Sequence, residues 1–102
     1  MKQNKWMSLL GLANRAGKTC SGEELVIREI QRNRAKLVLL ASDASHNTKK
    51  RITNKCEYYN VPLKVVSDRH ALGKSIGKEA RVAVAITDQG FSRKMIEALD
   101  QN

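Results

Sequence analysis

Short apolar runs limit what this chain can become. Lys36-Leu37-Val38-Leu39-Leu40-Ala41 is long enough for a β-strand and too short for a helix. Continuous apolarity from Leu37 onward, rather than alternation, marks a central strand covered on both faces. Arg81-Val82-Ala83-Val84-Ala85-Ile86-Thr87 is another apolar strand, and Val61-Pro62-Leu63-Lys64-Val65-Val66 is a third. Its proline confines that strand to an edge or makes Pro62 a strand start.

The segments between the runs carry helical periodicity. Trp6, Leu9, Leu10, Ala13 and Ala16 follow the i, i+3, i+4, i+7 spacing of an amphipathic helix, which Gly17 ends. Lys18-Thr19-Cys20 is a short extended connection. Ser21-Gly22-Glu23-Glu24 reads as a capping box, the Ser21 hydroxyl accepting from an early helical N–H and Glu24 reaching back. The helix behind it buries Leu25, Val26, Ile27 and Ile30, with Arg28, Arg32 and Arg34 on its other side and at its end. After the polar loop Ser42–Ser45, a helix over 46–59 turns Ile52, Cys56 and Tyr59 inward and Lys49, Lys50, Arg51 and Lys55 outward. A short helix over 68–76 is capped by Ser67 or Asp68 and stopped by Gly77. Asp88-Gln89-Gly90 is a turn, and a last helix from Phe91 to Leu99 buries Phe91, Met95, Ile96 and Leu99. There is no repeat or low-complexity linker, so residues 1–102 read as one α/β domain with helices on both faces of a small sheet.

The charge balance names a class of partner. Lys plus Arg number 19 against 10 Asp plus Glu, a formal +9 on 102 residues. That excess favours a polyanion: RNA, DNA or an anionic membrane surface. No apolar run approaches the ~20 residues of a membrane span, and the basic start Met1–Trp6 is not followed by an unbroken apolar segment. Cys20 and Cys56 form no CxxC pair, and His46 and His70 are distant in sequence from both. The expectation is two free, buried or half-buried thiols in a reducing cytoplasm, with no metal and no cofactor. The aromatic residues Trp6, Tyr58, Tyr59 and Phe91 are too few for a platform that stacks many bases. RNA recognition would therefore rest on phosphates, backbone and shape.

Catalytic readings fail on spacing. Gly17-Lys18-Thr19 resembles the tail of a phosphate-binding loop, but Gly11 stands one residue too far upstream and a helix rather than a strand runs into the motif. Glu23 and Glu24 are adjacent helical residues diverging by ~100°, which suits them to the positive end of a helix and not to a shared acid/base site. Lys49-Lys50-Arg51 with Lys55 is a basic cluster, either a solvated face or a phosphate-facing one.

An ordered set of segments resembles a known superfamily. It comprises Ser21-Gly22 before a helix, Arg34 to Ala44, Val61-Pro62, Leu72 to Gly77 and Val82 to Gly90. Together they are similar to the kink-turn-binding ribosomal proteins, the superfamily of L-seven-Ae and L-thirty-e, and most to its short bacterial members. The resemblance implies a three-layer α-β-α sandwich around a mixed sheet of about four strands. It also implies binding of a sharply bent helix–bulge–helix RNA. In that family the glycine-led start of the second helix meets the sheared G·A pairs, and the loop before the last strand covers bulged nucleotides. These map to Gly22, Glu23, Glu24, Leu25 and Arg28, and to Lys78, Glu79, Ala80, Arg81 and Val82. Glu24 then stands where the family has Asn or Lys, and Leu25 where it has Glu or Gln; a one-residue shift instead places Glu24 at the Glu position.

The expectation is a non-enzymatic, ribosome-associated RNA-binding protein, a cytoplasmic monomer with no membrane partner. Lys18, Arg32 and Lys36 are expected to supply nearby charge to phosphates. The alternatives are an RNA-recognition partner of a separate RNA-modifying enzyme, and a basic module docking on an acidic protein.

Overall fold

The computed structural model describes residues 5–101; the first residues of the basic N-terminal segment lie outside that range. Among the described residues five helices and four strands alternate in the order α1 (Lys5–Arg15), β1 (Thr19–Ser21), α2 (Glu23–Gln31), β2 (Leu37–Leu40), α3 (His46–Tyr59), β3 (Leu63–Val65), α4 (Arg69–Ser75), β4 (Ala83–Ile86) and α5 (Gln89–Asp100). The sheet order is β1-β4-β2-β3. β4 is antiparallel to both neighbours, while β3 lies parallel to β2, a pairing that needs a crossover, here α3. The mixed four-stranded sheet between two helical layers agrees with the expected α-β-α sandwich.

The two apolar runs take the centre because both faces of each are covered. All residues of β2 and β4 are buried. Successive strand side chains point to opposite faces, so Leu37, Leu39, Val84 and Ile86 pack with Leu10, Leu72 and Met95 from α1, α4 and α5 and with Ile76, the C-cap of α4. Val38, Leu40, Ala83 and Ala85 pack on the other side with Val26, Ile27, Ile30, Ile52 and Cys56 from α2 and α3. Pro62 falls just before the edge strand β3, where its carbonyl accepts from the Val38 N–H at 2.9 Å.

Five local expectations need correction. The connection at Lys18–Cys20 is a strand one residue further on, Thr19–Ser21. Ser21 is consequently held in the sheet and does not cap α2: the N-cap is Gly22, with no side-chain cap hydrogen bond. Leu25 is 48% exposed, because the buried arc of α2 is set by Val26, Ile27 and Ile30 and Leu25 lies ~100° outside it. Ala16 is likewise exposed, beyond the last residue of α1. The turn at Asp88-Gln89-Gly90 tightens into α5 itself, since the Asp88 carboxylate accepts from the Phe91 N–H at 2.9 Å and starts the helix at Gln89.

One close approach shapes the segment before β4. Lys78 donates its N–H to the Gly73 carbonyl at 2.9 Å and Arg81 to the Arg69 carbonyl at 3.0 Å, so residues 78–81 run back along α4. A Cβ on Gly73 would stand 2.9 Å from both the N and Cα of Ala80. Backbone cannot yield there as a flexible side chain would. Gly73→Ala is therefore expected to lower stability by about 1–3 kcal/mol, read by urea unfolding, and to shift the amide resonances of residues 78–82. Unchanged stability and resonances would show that the approach is not tight.

Candidate nucleic-acid interface

Sheet register decides which loops meet. Leu40 lies opposite Ala83, and Ser21 opposite Val84. The Ala41 N–H donates to the Val82 carbonyl at 2.8 Å, and the Gly22 N–H to the Ala83 carbonyl at 3.0 Å. The start of α2, the β2–α3 loop and the 78–82 segment thus share one end of the sheet.

At that end the N-terminus of α2 is open. The first N–H groups of a helix lack intrahelical acceptors. Gly22 spends its own on Ala83, and no side chain caps those of Glu23, Glu24 and Leu25. Gly22 has φ 99°, a conformation L side chains rarely adopt, and a Cβ there would meet nothing within 4 Å. The glycine serves the backbone turn while leaving the approach to the helix end clear. An exposed helix N-terminus with free N–H groups attracts anions.

Beside it, Arg81 joins the two loops. Its Nε donates to the Ser21 hydroxyl at 3.3 Å and its Nη1 to the Ala80 carbonyl at 2.6 Å. Val82 is half-buried against the α2/α3 core. Ala80 is half-buried, whereas Lys78 and Glu79 are exposed. The neighbouring Asp43 carboxylate accepts from the Arg69 backbone N–H at 2.9 Å, tying the β2–α3 loop to α4.

The acidic residues of α2 are not left to themselves. Glu23 accepts from the Thr48 hydroxyl at 2.9 Å and from Arg51 Nη1 at 3.1 Å. Glu24 accepts from the same Nη1 at 2.7 Å and from Nη2 at 3.3 Å. Thr48 belongs to the first turn of α3, which Ser45 caps by accepting the Thr48 N–H at 3.2 Å. Arg51 therefore bridges both carboxylates and locks the beginnings of α2 and α3 together. Its hydrogen bonds and charge, with a smaller contribution from Arg28, hold the Glu24 carboxyl below the usual carboxylate range.

Of the residues expected at the site, Gly22, Glu23, Glu24 and Leu25 stand at this end together with the 78–82 segment, and Arg28 is exposed one turn along α2 from Glu24. Arg32 is the C-cap of α2, roughly 13 Å away along the helix axis. Lys18 and Lys36 flank the other end of the sheet, where the Lys18 carbonyl accepts from the Thr87 N–H and the Lys36 N–H donates to the Ile86 carbonyl, both at 2.8 Å. An open hollow there, about 550 Å³, is lined in part by Thr19, Arg34, Lys36 and Thr87. The structure does not bring Lys18, Arg32 and Lys36 to Gly22. Sequence reasoning missed Ser45, Thr48 and Arg51. Arg51 was visible only as one member of a basic run, and its partners lie 27 and 28 positions away in another helix.

Elsewhere the chemistry is quiet. Both cysteines are free thiols, and burial pushes each up to about 11, so they stay protonated at neutral pH. His46 and His70 are exposed near the starts of α3 and α4. Among the described residues no group of three or more His, Cys, Asp or Glu side chains could hold a metal ion, and no helix is long and apolar enough to cross a membrane.

The bridge has a pH signature. A carboxyl depressed in the folded state keeps its ion pair above its ordinary value and loses it as pH falls through the lowered one. Carboxyl NMR titration should find Glu24 below its unfolded-chain value of about 4.3, and Arg51→Ala should return it toward that value. A Glu24 titration indifferent to Arg51→Ala would mean the bridge does not form in solution.

Known proteins resemble this chain in sequence and in fold. "RNA-binding protein YlxQ" of Bacillus subtilis is 63% identical over 100 residues, covering 98% of this chain and 100% of that protein. A solved structure of a protein with unknown function from Bacillus halodurans C superposes with a TM-score of 0.92 at 47% identity, covering 95% of this chain and 98% of that one. The Giardia lamblia 15.5kD RNA binding protein shares the fold at 19% identity, with a TM-score of 0.80 over 91% of this chain and 80% of its own. The model of the ribosomal protein L7Ae/L30e/S12e/Gadd45 family matches residues 4–96. The chain belongs to that family.

Proposed function

We propose that this protein is a non-enzymatic RNA-binding protein, acting as a monomer in the cytoplasm and associating with the ribosome, that recognises kink-turn or similarly bent RNA. The observation that carries the reading is the open, uncapped start of α2 standing beside the 78–82 segment at one end of the sheet. Support for RNA as the polymer comes from the +9 charge and from the similarity to the RNA-binding protein YlxQ of Bacillus subtilis. The family's ribosomal name supports the ribosome as the setting.

In this reading the N–H groups of Glu23, Glu24 and Leu25 face the bent backbone through the gap above Gly22. The Glu24 carboxylate accepts from base amino groups of the sheared G·A pairs, while Arg51 keeps that carboxylate from repelling the phosphates around it. Leu25 offers only an apolar contact. Arg28 takes a phosphate or a guanine edge, to which a guanidinium can donate twice. Lys78 meets a phosphate, Ala80 faces an extruded base, and Glu79 stays at the rim. Arg81 and Val82 hold the segment in place. Lys18, Arg32 and Lys36 contribute long-range attraction rather than contact at the bend.

A gel shift with a kink-turn RNA, and with the same RNA carrying Watson–Crick pairs in place of its G·A pairs, tests this. The wild type should prefer the kink-turn. Arg28→Ala should weaken kink-turn binding by about tenfold and reduce its salt slope by roughly 0.7–0.9 for the lost phosphate contact. Lys18→Ala should change affinity less and leave the preference intact. Equal binding of the two RNAs would remove shape recognition, and equal effects of the two substitutions would remove the assignment of the site to this end of the sheet.

A further inference from the structure

We propose that the outer face of α3, from Arg51 to Tyr58, is a second RNA contact that takes unpaired nucleotides leaving the bent helix, with a base stacked on Tyr58 and a phosphate held by Lys55. The proposal rests on the RNA-binding reading above.

Tyr58 is 78% exposed, the most open of the large apolar side chains described. A ring so uncovered is costly to hydration and useful to a flat partner. It is not loose. Tyr59 meets it edge-on, with centroids 4.8 Å apart and planes at 73°, and Tyr59 itself packs against the α2/α3 core. The last turn of α3 is pinned by Asn60 in the left-handed conformation and by the Val61 N–H donating to the Cys56 carbonyl at 2.8 Å. Little ordering is then required when a base arrives.

Around the ring lies what a nucleotide needs. Arg51, Lys55 and Tyr58 follow the i, i+4, i+7 spacing of one helix face. With Asn54 and Tyr59 they line an open hollow of about 520 Å³. α3 carries Lys49, Lys50, Arg51 and Lys55 against the single carboxylate of Glu57. Arg51 is also the residue that bridges Glu23 and Glu24, so the face is continuous with the open end of α2. Seven residues of helix span roughly 10 Å between Arg51 and Tyr58. An acidic protein would satisfy the cations and leave the ring in water. A base with its phosphate satisfies both, and away from a helix end an unpaired base is the one that presents its π-face.

The test compares blunt kink-turn RNA with the same RNA extended at either end by a short oligouridine tail. A tail should tighten wild-type binding by about 5- to 100-fold for one stacked base. Tyr58→Ala should abolish that gain without changing the affinity for blunt RNA or the thermal midpoint, Tyr58→Phe should keep it, and Lys55→Ala should reduce it. The same arms on a straight duplex separate the two readings. A Tyr58-dependent gain from the tail there, without preference for the bent RNA, supports this contact even as bend recognition fails. No gain from either tail overturns the proposal, as does an equal loss on blunt and tailed RNA in Tyr58→Ala. Binding of polyglutamate that requires Lys55, with RNA binding indifferent to Tyr58, also overturns it and marks the face as a dock for an acidic protein.

Discussion

The antiparallel pairing of β2 with β4 sets where every other element can lie. Leu37 to Leu40 meet Ile86 to Ala83 residue for residue, and every side chain in both strands is buried. A slip by one residue would exchange the faces of a whole strand. Val84 and Ile86 would then crowd the α2/α3 layer that Ala83 and Ala85 now suit, and the larger space under α1, α4 and α5 would be underfilled. The register is therefore held by volume as well as by hydrogen bonds. Its consequence is positional: the end of β1, the end of β2 and the beginning of β4 coincide, which puts Gly22 beside the 78–82 segment though some sixty residues separate them.

Electrostatics then refines what packing places. The helix end that is open to an anion carries two carboxylates, an arrangement that favours the helix dipole and opposes a phosphate. Arg51 resolves the conflict by reaching across from α3 to both, and Arg28 adds a second cation one turn along. The excess of positive charge is thus distributed by role. Some of it neutralises the acidic edge, some lines the face of α3, and Lys18 and Lys36 stand at the far end of the sheet.

Much of the fold was legible because its signals are local. The unbroken apolarity of Leu37–Ala41 announced a buried strand, Pro62 an edge, and the bounds of α3 were readable from His46 to Tyr59. The misses arose where tertiary contacts outbid local chemistry. Ser21 and Glu24 spell a capping box, but β1 holds Ser21 and Arg51 takes Glu24. Leu25 belongs by composition to a core and by angle to the surface. At the site, Gly22 and the 78–82 segment were reached through family resemblance, and the structure supplied the reason they meet. Arg51 was not legible, because no spacing rule connects a residue on α3 to a carboxylate on α2. The placement of Lys18 and Lys36 was not legible either, since proximity in sequence to Gly22 and Leu37 hides which end of a strand each flanks.

Amide chemical-shift mapping with a bent RNA decides whether the two loops joined by the β1–β4–β2 register form one binding edge. Perturbations should concentrate at Gly22–Arg28 and at 78–82, with Lys18, Lys36 and Thr87 at the opposite end unmoved. Perturbations centred on Lys18, Lys36 and Thr87, or spread evenly over both ends of the sheet, would contradict that edge.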